Sequence, residues 1–268
     1  MKRLLLVAAV TTLLAGCATT TSPTGRKQVV GAVSDEQLAQ LGAQAFAEAK
    51  AKTPQSTDSR QNAYVRCVVQ QVVQQLPAEW QNVGWETAVF VDSSPNAFAL
   101  PGGKVGVNTG IFSVAKNQDQ LAAVVAHEVG HVYSRHHNER ITRQMGTQGA
   151  LQVLGALAGS RYGEGVANAV TQGGSIAAQA GFLLPNSRTQ ESEADVVGQQ
   201  LMARAGFDPR QAVNLWENMI AASSSRPPEW LSTHPNPENR IQELSSRAAS
   251  LVPVYQQARA AGHTPKCG

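Results

Sequence analysis

Three residues inside "LAAVVAHEVGHVYSRHH" (121–137) have the types and spacing of a hydrolytic metal site. His127 and His131 stand four apart, so on a helix both rings turn to one side and can share an ion. Glu128 follows His127 directly. From there it can reach a water on that ion and serve as general base. Leu121, Val124, Val125 and Val129 supply the apolar surround of a buried helix. Gly130 costs that helix about 1 kcal/mol of propensity. The cost makes sense where a second backbone passes close by.

A catalytic zinc takes three protein ligands and keeps a fourth position open. Two residues compete for the third place. His137 completes H-E-x-x-H-x-x-x-x-x-H, the metzincin spacing, but Ser134 stands where that class has a chain-bending Gly. If the helix simply continues, His137 lies about 600° round from His131 and off the ligand face. It then reads as a solvated helix residue, and His136 misses the face as well. In "ESEAD" (191–195), Glu191 and Asp195 share one face of a separate helix as ligand and orienter. A ligating imidazole commonly donates its other N–H to a carboxylate, a role open to Asp195. Glu193 is about 200° round from Glu191 and faces elsewhere.

Other elements must bring these helices together. Composition is 42% hydrophobic and 15% charged, poor in aromatics and rich in small residues, which favours closely packed helices over a large sandwich. Ser34 caps a helix to about Lys50. Ser56 or Thr57 caps the next, with Tyr64, Val68, Val72 and Leu76 recurring before Pro77. "WETAVFV" (85–91), "NAFAL" (96–100) and "KVGVNTGIF" (104–112) read as short strands around the turn "PGG". Asn117 opens the HEVGH helix with Gln120 as capping-box partner, and Ser187 caps the ESEAD helix, which Gly206 ends. The Gly/Ala-rich segment 146–185 is a packed helix hairpin or a lid, and "RPPEWLSTHPNPENRI" (226–241) is a Pro-rich loop into a last helix.

The first residues read as a secretory leader: Lys2 and Arg3, a short apolar run, then Leu14-Ala15-Gly16-Cys17. The last four resemble a bacterial lipobox. That resemblance implies cleavage before Cys17, lipidation of Cys17 and, with Ala18 next, an outer-membrane anchor facing the periplasm. Residues 1–16 are then the signal peptide, 17–31 the lipidated Cys and a polar tether, and 32–268 the functional domain. Without Lys2 and Arg3, the 22 basic residues become 20 against 19 acidic ones, so the mature net charge is +1. With no basic cluster interleaved with aromatics, nucleic acid is not an expected partner. Cys67 and Cys267 remain as two thiols or, in an oxidising compartment, as a disulfide closing a loop of about 200 residues.

"HEVGH" (127–131), "SRTQESEADVVG" (187–198), "NAFALPGGKVGVNTGIF" (96–112) and "THPNPENRI" (233–241) together resemble peptidase family M48, the HtpX- and Oma-type zinc proteases, over about residues 22–250. The lipobox is similar to that family's LoiP-type periplasmic lipoprotein branch. The resemblance implies an α+β, mainly helical, zincin-like domain with a small sheet beside the active helix. It implies one Zn²⁺ per chain held by His127, His131 and Glu191, with Glu128 as base and Asp195 in support. It places His234 near the metal, either polarising the scissile carbonyl or filling the fourth position. It implies a substrate-binding edge strand at Asn96, Ala97, Phe98 and Ala99. The implied substrates are unfolded or misassembled envelope proteins. The rival reading is a zinc-stabilised envelope chaperone or assembly factor with low or autoinhibited proteolysis. Arg240 is read as packing or pairing locally, without a part in the chemistry.

Overall fold

The computed structural model describes residues 18–146, 186–222, 234 and 239–268. The expected leader with Cys17 and nearly all of the Gly/Ala-rich segment lie outside these residues. The chain forms two compact units, residues 1–37 with 135–184 and residues 38–134 with 185–268.

In the first unit, β-branched runs "TTT" and "VV" form the antiparallel hairpin β1 (Ala18–Thr21) and β2 (Lys27–Val30). Residues 18–30 are therefore not a bare tether. The hairpin is held to a helical stretch at 136–146, where Arg26 grips the buried Glu139 with two bonds of 2.8 Å. Asn138 accepts from Gly31 N at 3.0 Å and donates to Val33 O at 3.2 Å.

The second unit carries helices around a three-stranded sheet. These are α1 (Asp35–Lys52, its first turn in the other unit), α2 (Ser59–Val73), the short α3 (Ala78–Gln81), α4 (Gln118–Tyr133), α5 (Arg188–Arg204), α6 (Gln211–Ala222) and α7 (Arg240–Ala260). The strands β3 (Glu86–Phe90), β4 (Ala97–Leu100) and β5 (Lys104–Asn108) lie in the order β3-β5-β4, with β5 parallel to β3 and antiparallel to β4. The β4–β5 turn needs Gly102 and Gly103, whose φ values of 77° and 73° suit no branched residue. Among the described residues no helix is long and apolar enough to cross a membrane.

Helix boundaries follow local capping chemistry. The cap of α2 is Asp58, whose Oδ1 accepts from Arg60 N and Gln61 N, rather than Ser56 or Thr57. Asn117 caps α4 by accepting from Gln120 N at 2.9 Å. Gln120 Oε1 takes Lys116 N instead of closing a reciprocal box. Ser187 and Gln190 do close one at α5. The helix of "HEVGH" does not run on through His137. Ser134 caps it, Arg135 turns left-handed at φ 54°, and a new helical stretch starts at 136. His137 is buried, not solvated.

Valines of α2, β5 and α4 share one core with Leu201 and Met202 of α5, Leu215 and Trp216 of α6 and Leu244 of α7. Within it α4 and α5 meet at backbone contact. A Cβ on Gly130 would lie 3.0 Å from Ala194 O, and one on Gly198 would lie 3.0 Å from Ala126 C and His127 N. The disulfide Cys67–Cys267, with Cα atoms 5.4 Å apart, fastens the C-terminal tail to α2. The same tail pairs with Gln118 at the start of α4, through Pro265 O and Cys267 N.

Gly198→Val should overpack the α4–α5 contact and cost about 1–3 kcal/mol, read as a lower urea midpoint; an unchanged midpoint would show that the two backbones have room. Replacing Cys67 and Cys267 together by Ser should lower stability by up to roughly 5 kcal/mol on the chain-entropy account of so long a loop, read in the same titration.

Candidate metal centre

The helical repeat of α4 turns His127 and His131 the same way, and α5 does the same for Glu191 and Asp195. The glycine contacts bring the two faces together. His127 Nε2 and His131 Nε2 are 3.0 Å apart; His127 Nε2 lies 3.3 Å from Glu191 Oε2 and His131 Nε2 lies 3.3 Å from Glu191 Oε1. All three side chains are buried. His127, His131, Glu191 and His234 place one ligand atom each within 4.8 Å of one another. His137, in the other unit, is outside this group.

Two imidazole nitrogens 3.0 Å apart, each facing a carboxylate oxygen at 3.3 Å, are as closely gathered as donors that share one ion with ligand bonds of about 2.0–2.1 Å. Glu191 Oε1 is buried and accepts no hydrogen bond among the described residues. A buried carboxylate oxygen without a donor is costly, and a cation would satisfy it. The residues present therefore fit a divalent ion, and a nitrogen–oxygen donor set of this kind suits zinc.

Behind the donors stands a ring of support. Asp195 Oδ1 lies 2.9 Å from His127 Nδ1. With Nδ1–H donating there, Nε2 keeps its lone pair for the ion. Asn186 Nδ2 approaches His131 Nε2 at 3.4 Å. Glu128, also buried, lies with Oε1 3.3 Å from His234 Nε2. His234 stands 5.3 Å, centroid to centroid, from both His127 and His131.

The electrostatics follow from burial opposed by pairing. Burial disfavours a charged His127, but the Asp195 and Glu191 carboxylates outweigh it and push the ring up to about 9. Burial would raise Glu191, yet the His131 and His127 rings hold its carboxyl well below the usual range. Asp195 resists the same penalty through Arg240 and His127, and is lowered. Burial depresses His234, only partly countered by Glu128 and Glu191. These directions describe the metal-free site, where a bound proton competes with a metal.

The remaining predicted positions are also placed. β4 occupies the sheet edge and lies against α4. Ala97 and Ala99 are buried, Phe98 is half-buried, and Asn96 O accepts from Asn108 N at 2.9 Å. The Phe98 ring covers Gly106 and stacks on Phe90, so this side chain belongs to a small core. Glu193 is not among the four candidate ligands and is buried. Sequence reasoning undervalued Arg240. It is almost wholly buried and bonds both Glu191 and Asp195. Its signal was its place in "THPNPENRI", beside His234, at the start of α7.

Residues 59–248 match the pattern described as Peptidase family M48. The chain is 38% identical over 183 residues to the mitochondrial metalloendopeptidase OMA1 of Schizosaccharomyces pombe, covering 68% of this chain and 51% of that one. It is 36% identical over 171 residues to the β-barrel assembly-enhancing protease of Escherichia coli, covering 61% of this chain and 34% of that one. The chain thus spans between a third and a half of the length of these relatives. The family match reaches from the start of α2 into α7 and so takes in both helices that meet at the imidazole–carboxylate group. On that ground the chain belongs to peptidase family M48.

Proposed function

We propose that this chain is a zinc-dependent endopeptidase that hydrolyses peptide bonds in extended segments of unfolded or misassembled envelope proteins. The observation that carries the reading is Glu128 standing one residue from His127, on the helix that also presents His131, with Glu191 delivered opposite by α5. Zinc, when bound by His127, His131 and Glu191, supplies a lowered water pKa and a Lewis acid for the carbonyl. Glu128 accepts the proton of the attacking water and returns it to the leaving amine. Asp195 keeps His127 in the ligating tautomer. β4, at the sheet edge, offers backbone groups to an extended peptide, with Phe98 kept for packing. His234 beside Glu128 is placed to steady the developing oxyanion.

The substrate class rests on family resemblance, on the name of the E. coli relative and on the leader that precedes Cys17. In this reading Cys17 carries the lipid and anchors the enzyme to the outer membrane, facing the periplasm. One observation favours the second reading, a chaperone-like resting form: His234 lies among the four side chains able to ligate the ion. As a fourth ligand it would fill the position that water needs.

Glu128→Gln should retain zinc yet cut casein more slowly by about 10²–10⁴-fold; digestion at the wild-type rate would end the mechanism. Glu191→Ala should lose zinc on metal analysis while His137→Ala keeps it; the reverse pattern would hand the third place to His137. Cys17→Ser should move the expressed protein from the membrane to the soluble fraction, and unchanged sedimentation would argue against the lipid anchor.

A further inference from the structure

Arg240 is buried at the rear of the site, and its bonds form a pattern that simple packing does not require. Nη1 donates to Glu191 Oε2 at 3.2 Å and Nη2 to Asp195 Oδ1 at 2.7 Å. The two acids are one turn apart on α5, a span that a planar guanidinium fork can bridge and a point-like ammonium cannot. The guanidinium carbon lies 3.7 Å from the centre of the Trp216 ring, so the plane of the fork is set by stacking on α6. Asp195 Oδ1 also faces His127 Nδ1 at 2.9 Å. One side chain from α7 thus touches Glu191 and Asp195 and stands 3.3 Å from His127 Nδ1.

The two oxygens of Glu191 are in unequal situations. Each oxygen lies 3.3 Å from one imidazole nitrogen, Oε2 from His127 Nε2 and Oε1 from His131 Nε2, but Oε2 also accepts from Arg240, whereas Oε1 is buried and accepts no hydrogen bond among the described residues. We propose that Arg240 is a positioning residue that holds Glu191 to one-oxygen coordination through Oε1, keeping the metal at three protein ligands with a corner left for chemistry. The inference rests on the zinc reading above. For Glu191 to bind through both oxygens, Oε2 would have to turn a lone pair to the ion while its charge is drawn toward Arg240. Without the guanidinium nothing in this bond set favours one oxygen over the other. Arg240 also supplies positive charge beside two buried carboxylates one turn apart, which offsets their burial. A purely structural Arg240 would tie α7 to α5 and affect stability alone.

The test uses the mature chain, wild type and with Arg240→Ala, Arg240→Lys or Trp216→Leu, each checked for fold by circular dichroism. Two readouts are compared: the visible bands of the cobalt(II)-loaded protein, which weaken as coordination number rises, and zinc affinity by chelator competition. Arg240→Ala should weaken the bands and lower zinc affinity by about 10–100-fold. Arg240→Lys should fail to restore either, because charge without the fork does not hold Oε2. Trp216→Leu should shift the bands in the same direction, and it carries the comparison with Arg240→Lys if Arg240→Ala does not fold. Wild-type spectra and affinity in folded Arg240→Ala, or in Arg240→Lys, would overturn the inference alone. A wild-type chain that takes up neither cobalt nor zinc would overturn the zinc reading together with it.

Discussion

The site depends on how closely two helices approach. Glu191 reaches the space between His127 and His131 because α4 and α5 touch at backbone level, with Gly130 under Ala194 and Gly198 under Ala126. Side chains larger than hydrogen at those two positions would push the axes apart. The ligand shell would then open by more than a metal–ligand bond tolerates. The helix-propensity cost of Gly130 and Gly198 therefore sits where it permits the convergence. The valines and leucines on the flanks of both helices hold the pair in place.

Once the helices meet, charge becomes the second constraint. Glu128, Glu191 and Asp195 are three buried acids beside three buried imidazoles, His127, His131 and His234. Unpaired, each would shed its charge. The arrangement instead pairs Glu191 with His127 and His131, Asp195 with His127 and Arg240, and Glu128 with His234. Glu191 and Asp195 are held ionised, and their carboxylates favour a protonated His127. A divalent ion enters such a site by displacing a proton rather than by reorganising the protein. The disulfide tail adds a mechanical clamp at the other end of α4, through Gln118.

Much of this was legible in the residues because the governing interactions are local. Four-residue spacing puts His127 with His131 and Glu191 with Asp195 on shared faces whatever the tertiary context. Asn117 and Ser187 announce their helices because a cap bonds only two or three residues ahead. The misreadings came where two local options were nearly equal or a distant partner intervened. Asp58 outcompetes Ser56 and Thr57 as the cap of α2. The 18–30 segment looked like a tether because the buried Glu139 that holds Arg26 is 113 residues away in sequence. His137 looked solvated because helix periodicity cannot foresee the left-handed turn at Arg135.

By itself the sequence determined the chemistry on offer: two imidazoles and a base on one helix, two acids on another, an edge strand ahead of them and two cysteines able to bridge. Tertiary structure alone decided which acid meets the imidazoles, that His234 comes within ligating reach, and that Arg240 is drawn in behind them. The physical reason is range. Helical periodicity and capping act over a few residues, while the choice among Glu191, His137 and His234 turns on packing contacts between segments far apart in the chain.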